Sequence, residues 1–270
     1  MRRIVTLTTD FQEGSPYVAA MKGVILSICP DVTLVDVTHA IPPQNVLQGA
    51  RVLKEVVPLF PEETIHVAVV DPGVGSEREL LAVQWGTQYL VLPDNGLLTY
   101  LAERDVPQRY IVLENPRWWR AEISTTFHGR DILAPVAAYL AAGKVTLEGL
   151  GREKFSITKW AVPLPQVESG RLVGEIAAVD SFGNLQSNIT WEIWQKNVGN
   201  RPFRLLFPGG EIETLAKTYS EMAPGKTVAL FGSEGWLEVA VVCGNAARRW
   251  NLGVGAKIEV LFPLSRQETK

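Results

Sequence analysis

The first half of the chain alternates short apolar runs with stretches in which apolar residues recur every three or four positions. The runs are rich in β-branched residues and predict buried strands, and the periodic stretches predict amphipathic helices. The predicted strands are residues 4–8, 32–37, 65–70, 80–84, 89–92 and 110–113, and the predicted helices are residues 18–28, 46–57, 97–103 and 131–142. Strands that alternate with helices indicate βα units, so we expect an α/β domain with a mostly parallel central sheet.

The second half has a different pattern. Residues 159–171 contain prolines, a serine and a glycine and are typical of a connection between domains. Beyond them, short apolar runs are separated by turn residues, which is typical of a small barrel or sandwich. The predicted strands are residues 172–179, 203–207, 227–231, 237–242 and 257–262. We therefore predict an α/β domain over residues 1–160 and an all-β, barrel-like domain over residues 171–265.

Composition narrows the class of protein. The chain has 270 residues, of which 46% are hydrophobic, and its 26 basic and 29 acidic side chains nearly balance. Such a chain can bury a core, and it lacks the basic excess of a nucleic-acid binder. It contains no run of roughly 20 apolar residues that could span a membrane and no signal-peptide pattern at its N-terminus. The two distant cysteines suit a reducing compartment, so we expect a cytoplasmic protein with no nucleic-acid or membrane partner.

Polar and charged residues follow the predicted strands where ligands collect in open α/β sheets. Asp10 follows the first strand, residues 71–78 follow the third, and residues 126–131 begin the last helix. The glycines at 73 and 75 begin like a dinucleotide-binding fingerprint, but Arg78 stands where the third glycine belongs. The glycines therefore indicate a tight turn rather than a phosphate site.

The charges around this turn carry more information than its glycines. The loop is long enough to fold back and pair Asp71 with Arg78, either to staple the loop or to orient a functional carboxylate. His128 precedes a helix N-terminus, where the local positive potential favours a neutral imidazole, although most lone histidines are ordinary hydrogen-bonded residues. None of the three histidines has ligand-spaced partners, so we predict no metal site.

Three further segments each allow a structural and a functional interpretation. Asp10 can cap the segment that follows it or accept hydrogen bonds from the two hydroxyls of a ribose. Residues 180–184 can form a hairpin turn, or present an aromatic face and an amide that stack on a purine and bind its edge. Residues 244–247 are small and would allow a flat ring to approach the backbone.

Taken together, these segments resemble the S-adenosyl-L-methionine (SAM) hydroxide adenosyltransferase, or SAM hydrolase, family, which is related to the SAM-dependent fluorinases and chlorinases. The resemblance extends from about residue 4 to residue 262. Its most specific motifs are Asp-Pro-Gly-Val-Gly-Ser-x-Arg at 71–78, Pro-Asp-Asn-Gly-Leu-Leu at 93–98, Thr-Phe-His-Gly-Arg-Asp at 126–131, and Phe-Gly-Asn-Leu at 182–185 followed by Asn-Ile at 188–189.

The resemblance implies a homotrimer whose active sites lie between the N-terminal domain of one subunit and the C-terminal domain of the next. It implies that Asp71, Arg78 and His128 bind and activate a water molecule. Asp10 matches the family's carboxylate that binds the ribose hydroxyls. The other implied substrate-binding residues are Asp180 and Ser233 near the methionine, Phe182, Asn184 and Ala247 near the adenine, and Asn245 in the same segment as Ala247.

The reaction implied is the hydrolysis of SAM to adenosine and L-methionine by attack of water on ribose C5′. Because the sulfonium is already a good electrophile, we expect no cofactor and no metal. A SAM-dependent halogenase is one alternative. Asp71 disfavours it because a carboxylate repels a halide, and the long insertion of the fluorinases is missing between Leu80 and Pro93. A non-catalytic adenosyl-ligand sensor is the other, which the retained water-activating residues disfavour. Ser15 and Val242 depart from the Asp and Asn that the family commonly has there.

Overall fold

The computed structural model describes residues 3–264, so residues 1, 2 and 265 of the predicted domains lie outside the described residues. The contacts within the chain separate it into two compact units that meet in sequence between Ala161 and Val162. Across residues 3–264, no helix has both the length and the apolar character needed to cross a membrane.

The first unit contains a seven-stranded sheet with the strand order β2-β1-β3-β5-β4-β6-β7. Its strands are β1 (Ile4–Thr9), β2 (Thr33–Thr38), β3 (Ile65–Val69), β4 (Leu80–Trp85), β5 (Gln88–Pro93), β6 (Arg109–Val112) and β7 (Glu153–Lys154). Its α-helices are α1 (Tyr17–Ile28), α2 (Val46–Val56), α3 (Leu101–Arg104) and α4 (Ala134–Ala141). A π-helical turn, Gly129–Leu133, leads directly into α4.

The prediction of a mostly parallel sheet is wrong for half of this sheet. Strands β2, β1, β3 and β5 are parallel to their neighbours in that order, but β5–β4, β4–β6 and β6–β7 are antiparallel pairs. The reason is local: only Gly86 and Thr87 separate β4 from β5, and Gly86 has a φ of +59°. A two-residue connection can join antiparallel strands only, because a parallel pair needs a crossover of a dozen or more residues.

Helices cover both faces of the sheet and bury two apolar cores. Met21 and Ile25 of α1 pack with α4 and one face of β1 and β3, whereas Leu53 of α2 packs on the opposite face. Strand β3 contributes to both cores, with Val67 on the first face and Ala68 on the second. A strand buried on both faces explains the apolar run that predicts it.

The strand order reverses next to β1 and brings two loops together. The chain passes from β1 through α1 to β2 on one side, and later returns to place β3 on the other side. Thr9 pairs in register with Val69, so the two strands end at the same edge of the sheet. Asp10 and Asp71 follow these ends within one and two residues, at a point where α/β sheets bind ligands.

The second unit is built on an antiparallel sheet with the order β12-β11-β15-β9-β10-β14-β13, and β8 pairs with β9. Its strands are β8 (Gln166–Glu168), β9 (Arg171–Val179), β10 (Leu185–Thr190), β11 (Arg204–Phe207), β12 (Gly210–Ile212), β13 (Thr227–Phe231), β14 (Trp236–Val241) and β15 (Lys257–Leu261). The two ends of this path, β12 and β13, come into contact, which makes the sheet barrel-like. Two short helices, α5 (Trp191–Asn197) and α6 (Ala246–Trp250), accompany it.

Strand β10 has no counterpart among the predicted strands because two of its four buried residues, Ser187 and Asn188, are polar. Ser187 is fully buried and its hydroxyl donates to the Leu237 carbonyl (2.8 Å). The Asn188 side chain accepts from the Glu175 amide (2.9 Å) and donates to the Pro163 carbonyl (2.8 Å). These hydrogen bonds replace the ones that water would make, so polar side chains are tolerated inside the unit.

His66 of β3 is a buried titratable group that makes the stability of the first unit depend on pH. Its Nδ1 lies 2.8 Å from the Thr6 hydroxyl, its Nε2 lies 3.2 Å from Gln88 Oε1, and the Phe60 ring packs edge-on against it. Burial lowers the pKa of His66 to about 4, although the hydrogen bond that His66 Nε2 donates to Gln88 Oε1 opposes the shift. The unfolded chain therefore binds more protons than the folded chain between the ordinary pKa near 6.5 and a pH of about 4.

We expect the free energy of unfolding to fall by about 2 kcal/mol through His66 alone when the pH is lowered from 7 to 4.5. The stabilisation is complete above the unfolded pKa and is lost as the pH falls towards the folded pKa. Urea unfolding of the wild type and of His66→Gln at both pH values measures this difference, and the carboxylates common to both proteins cancel. Equal pH dependence in the two proteins would contradict the prediction.

Candidate functional site

The predicted ion pair between Asp71 and Arg78 is present in the loop after β3. Arg78 Nε donates to Asp71 Oδ1 (2.7 Å) and Oδ2 (2.8 Å), and its Nη2 also donates to Oδ2. Only 9% of the Arg78 side chain and 5% of the Asp71 side chain are exposed. A forked, partly desolvated pair of this kind is held far more rigidly than a surface salt bridge.

The backbone of this loop forms tight turns, as the glycines predict. The Val74 amide donates to the Asp71 carbonyl (3.2 Å) and the Ser76 amide donates to the Gly73 carbonyl (3.0 Å). Gly75 has a φ of +80°, and a Cβ there would lie 2.6 Å from the Thr125 carbonyl oxygen. Two amides of the loop are thus bonded to the loop's own carbonyls, and these turns hold Asp71 and Arg78 at its two ends.

His128 joins this pair through Arg78. Arg78 Nη2 lies 3.2 Å from His128 Nδ1. Burial lowers the pKa of His128, and the neighbouring Arg78 charge lowers it further, while Asp71 and Asp131 oppose the shift. A guanidinium can only donate, so Nδ1 is the acceptor and the neutral ring carries its proton on Nε2.

Asp131 anchors the segment that carries His128. Its side chain is fully buried, and it accepts hydrogen bonds from Arg120 Nη1 (2.7 Å), Arg130 Nε (2.7 Å) and the Ser124 amide (2.8 Å). These donors hold the pKa of Asp131 near 2 against the effect of its burial. Asp131 ends the motif at residues 126–131, but nothing in its sequence context predicts this anchoring role.

Asp10 lies in the same cleft as Asp71 and His128. The three residues, with Phe11, Gln44 and Phe127 among others, line a cavity of about 230 Å³ within the first unit. The Gln44 amide donates to Asp10 Oδ2 (2.7 Å), and Gln44 has a φ of +66°. Gln44 is a lining residue that the sequence analysis missed, because no local pattern indicates which loop meets Asp10.

Four of the substrate-binding residues predicted in the second half of the chain line a single cavity of the second unit. Asp180, Phe182, Asn184 and Ser233 line one cavity of about 700 Å³. The Phe182 side chain is 74% exposed, whereas Asn184 is buried. An exposed aromatic face beside a buried amide fits a flat, partly polar ring.

Residues 180–184 also form the turn that is the structural interpretation of this segment. Asp180 Oδ1 accepts from the amides of Phe182 (2.9 Å) and Asn184 (2.8 Å), and Oδ2 accepts from Asn184 Nδ2 (2.8 Å). Asp180 therefore shapes the turn that presents the Phe182 ring.

Asn245 and Ala247 do not line this cavity but support its edge. Asn245 caps α6 by accepting from the Arg248 amide (2.7 Å), and the Ala247 amide donates to the Gly183 carbonyl (2.9 Å). The Asn245 side chain also lies so close to Gly183 that no Cβ would fit there. Both residues thus act on the turn at residues 180–184.

A buried carboxylate in the same cavity escaped the sequence analysis. Glu238 of β14 is only 5% exposed, and it accepts hydrogen bonds from Gln186 Nε2 (2.9 Å) and the Tyr219 hydroxyl (2.7 Å). Burial and then the hydrogen bond to Glu238 raise the pKa of Tyr219 well above its ordinary value. A charged residue within an apolar strand, as in Leu237–Val239, is the signal that could have found it.

The residues that depart from the family pattern, and the other histidine near the site, have structural roles. Ser15 Oγ donates to the Phe11 carbonyl (3.1 Å), and Val242 is a buried lining residue of the second unit's cavity. His39 Nδ1 lies 2.9 Å from Thr9 Oγ1. Within residues 3–264, no three His, Cys, Asp or Glu residues are grouped so that they could hold a metal ion.

Sequence profiles of one family match both units of the chain. The profile of the SAM hydroxide adenosyltransferase N-terminal domain matches residues 5–151, and that of the C-terminal domain matches residues 174–259. The fold is shared with a crystal structure of an uncharacterized conserved protein from Thermotoga maritima, at a TM-score of 0.88 and 35% identity. That likeness covers 96% of this chain and 99% of the other.

Relatives with assigned names cover the chain almost completely. A protein of Thermus thermophilus named (R)-S-adenosyl-L-methionine hydrolase is 38% identical over 96% of this chain and 100% of its own length. A protein of Salinispora arenicola with the same name is 38% identical over 90% and 92% of the two chains. A protein of Actinoplanes sp. named fluorinase is 31% identical over 95% and 97%. The chain therefore belongs to the SAM hydroxide adenosyltransferase family.

Proposed function

We propose that this protein hydrolyses S-adenosyl-L-methionine to adenosine and L-methionine. The observation that carries the proposal is the hydrogen-bonded cluster of Asp71, Arg78 and His128, in which Asp71 and His128 line the cleft that also contains Asp10. Four relatives named (R)-S-adenosyl-L-methionine hydrolase are 34–38% identical to this chain over at least nine-tenths of its length. The (R) in that name specifies the sulfonium epimer, and we propose the same epimer as the substrate here.

The chemistry requires a good nucleophile rather than a better electrophile. The water oxygen forms a bond to ribose C5′, the C5′–S bond breaks, and its electron pair remains on sulfur as the neutral thioether of methionine. One water proton is released. Because the positive charge of the sulfonium disappears in this step, a site that excludes bulk water favours the reaction. We propose that the residues of this chain carry the reaction with SAM as the only organic ligand and without a metal or cofactor.

The hydrogen bonds around Arg78 support different roles for Asp71 and His128. With Nδ1 accepting from Arg78, His128 offers only its Nε2–H to the cleft and can hold the water oxygen as a donor. Asp71 Oδ1 accepts one hydrogen bond from Arg78, whereas Oδ2 accepts two, so Oδ1 keeps a lone pair that can accept the water proton. We therefore propose Asp71 as the base, His128 as the residue that orients the water, and Arg78 as the link between them.

The substrate contacts divide between the two units. Asp10 is proposed to accept hydrogen bonds from the ribose hydroxyls. Phe182 and Asn184 are proposed to contact the adenine, with Asn245 and Ala247 holding their turn in place. Asp180 and Ser233 are proposed to lie near the methionine. Since Ser15 is neutral, this position does not offer the methionine ammonium the charged partner that the family commonly has there.

Halogenation is disfavoured by the same cleft. A halide would have to enter beside the Asp71 carboxylate, which repels it. The relatives named fluorinase are also more distant, at 29–31% identity, than the relatives named hydrolase. A sensor that binds SAM without turnover remains an outcome that the experiment below distinguishes.

We further propose a cytoplasmic homotrimer, without nucleic-acid partners, in which each active site combines the first unit of one subunit with the second unit of the next. The cleft in the first unit, at about 230 Å³, is smaller than the roughly 300–1,000 Å³ of sites that enclose a small molecule. The second unit has a cavity of about 700 Å³ and exposes Phe182. A site that needs both surfaces would bury Phe182 against its ligand.

Incubation of the purified protein with each SAM epimer in ¹⁸O water tests the reaction. We expect adenosine and methionine from the (R) epimer, with the label in the adenosine 5′ hydroxyl. Mass spectrometry of the two products measures where the label is. Adenosine without label would refute attack at C5′, and SAM that stays bound and unchanged would identify a sensor instead.

Replacing Asp71 tests its role as the base. Asp71→Asn keeps the size of the side chain but removes the proton acceptor, so we expect kcat to fall by about 10²–10⁴-fold. Steady-state kinetics and calorimetric titration with SAM should show that binding changes much less. Asp105→Asn, at an exposed carboxylate after α3, is the matched control and should retain wild-type kcat. Unimpaired turnover by Asp71→Asn would remove Asp71 from the mechanism.

Co-expression of two inactive variants tests the shared site. If each site combines two subunits, mixing Asp71→Asn with Phe182→Ala chains should restore up to about a third of wild-type activity in mixed trimers. Light scattering checks the trimer mass. Recovered activity below a few per cent of wild type in confirmed mixed trimers would argue that each site is built from a single chain.

A further inference from the structure

Two backbone carbonyls at the base of the loop that contains Asp71 and Arg78 accept hydrogen bonds from one neighbouring turn. Val70 precedes Asp71, and its carbonyl accepts from Asn95 Nδ2 (2.8 Å). Glu79 follows Arg78, and its carbonyl accepts from the backbone amide of Asp94 (2.9 Å). Consecutive residues of the turn after β5 therefore hold both ends of the loop.

The turn is itself held firmly. Asp94 is buried and accepts from Lys154 Nζ (2.6 Å) and from the Thr158 amide (2.8 Å). Trp160 Nε1 donates to the Asn95 carbonyl (2.7 Å), and the Trp160 ring lies directly against Gly96, whose φ is +106°. The motif at residues 93–98 is thus a rigid anchor, although the proposed reaction uses none of its side chains.

The Asn95 side chain makes a hydrogen bond with one of its polar atoms and leaves the other buried without a partner. Its Nδ2 donates to Val70, but its Oδ1 is buried and has no hydrogen-bond partner in the described part of the chain. A buried polar atom without a hydrogen-bond partner destabilises the folded protein. The hydrogen bond that the side chain does make is to the carbonyl of Val70, the residue directly before Asp71.

We infer that Asn95 is a positioning residue for the water-activating cluster, acting on Asp71 and Arg78 by fixing the main chain at the base of their loop. The inference rests on the proposed function where turnover is concerned. Arg78 must reach Asp71 and His128 at once, so a shift of its loop changes both contacts. A misplacement of about 1 Å at a reacting group can cost on the order of 100-fold in rate.

The test compares Asn95→Ala with Asn115→Ala in the full chain. Asn115 is a matched control because its Nδ2 also donates to a backbone carbonyl, that of Gly149 (2.8 Å), in the same unit. For Asn95→Ala we expect kcat with SAM to fall by about 10–100-fold and KM to change by less than about threefold. Asn115→Ala should keep wild-type kcat even if its melting temperature falls.

A second measurement needs no substrate. Since burial and then the Arg78 charge lower the pKa of His128, a loop that moves Arg78 away lets this pKa rise. NMR titration of the histidine ring should show a higher His128 midpoint in Asn95→Ala than in the wild type, and an unchanged midpoint in Asn115→Ala. Asn95→Leu, which has the same shape without the amide, repeats both measurements if the alanine variant does not fold.

The two readouts separate the two proposals. Wild-type kcat and an unshifted His128 titration in a folded Asn95 variant would overturn the role of Asn95. If the wild type fails to hydrolyse SAM, the proposed function fails, and the His128 titration still decides whether Asn95 positions the cluster.

Discussion

The site in the first unit depends on one guanidinium that serves two partners. Arg78 donates to both oxygens of Asp71 and to Nδ1 of His128, and these groups come from loops that are 50 residues apart in sequence. Because an arginine can only donate hydrogen bonds, it favours the ionised carboxylate of Asp71 and the His128 tautomer that carries its proton on Nε2. A carboxylate acceptor and an imidazole donor then face the same cleft, and the proposed hydrolysis needs that combination around a water molecule.

The charges of Asp71 and Arg78 are nearly removed from solvent, and this desolvation destabilises the folded protein unless the pair is held in good geometry. The surrounding structure holds the cluster in place through two further buried carboxylates that accept more than one hydrogen bond each. Asp131 holds the segment of His128 through two arginines and a backbone amide, and Asp94 holds the turn that contacts the base of the 71–78 loop. The rigidity of the cluster is therefore shared among residues that never line the cleft.

Local patterns predicted much of the fold. The strands at both ends of the 71–78 loop, the Gly86 hairpin and the long helices of the first unit lie close to their predicted positions, because apolar periodicity and turn residues act over short distances. The direction of the second half of the sheet, and strand β10 with its buried Ser187 and Asn188, were not predicted. The antiparallel direction begins at the two-residue connection through Gly86, which the apolar pattern does not distinguish from a crossover. The buried polar residues of β10 depend on hydrogen bonds to residues that are 13–50 positions away in sequence.

The sequence by itself determined the family, because the order and spacing of its motifs can be recognised in the linear sequence. It also identified Asp10, Asp71, Arg78 and His128 as candidate site residues. Only the tertiary structure decided that Arg78 links Asp71 to His128, that Asp131 and Asn95 support this cluster, and that Glu238 lies in the cavity with Phe182. The physical reason is that hydrogen bonds and burial join residues across dozens of positions. A pattern along the chain reports which face of an element is apolar, but not which side chain of another element completes its hydrogen bonds.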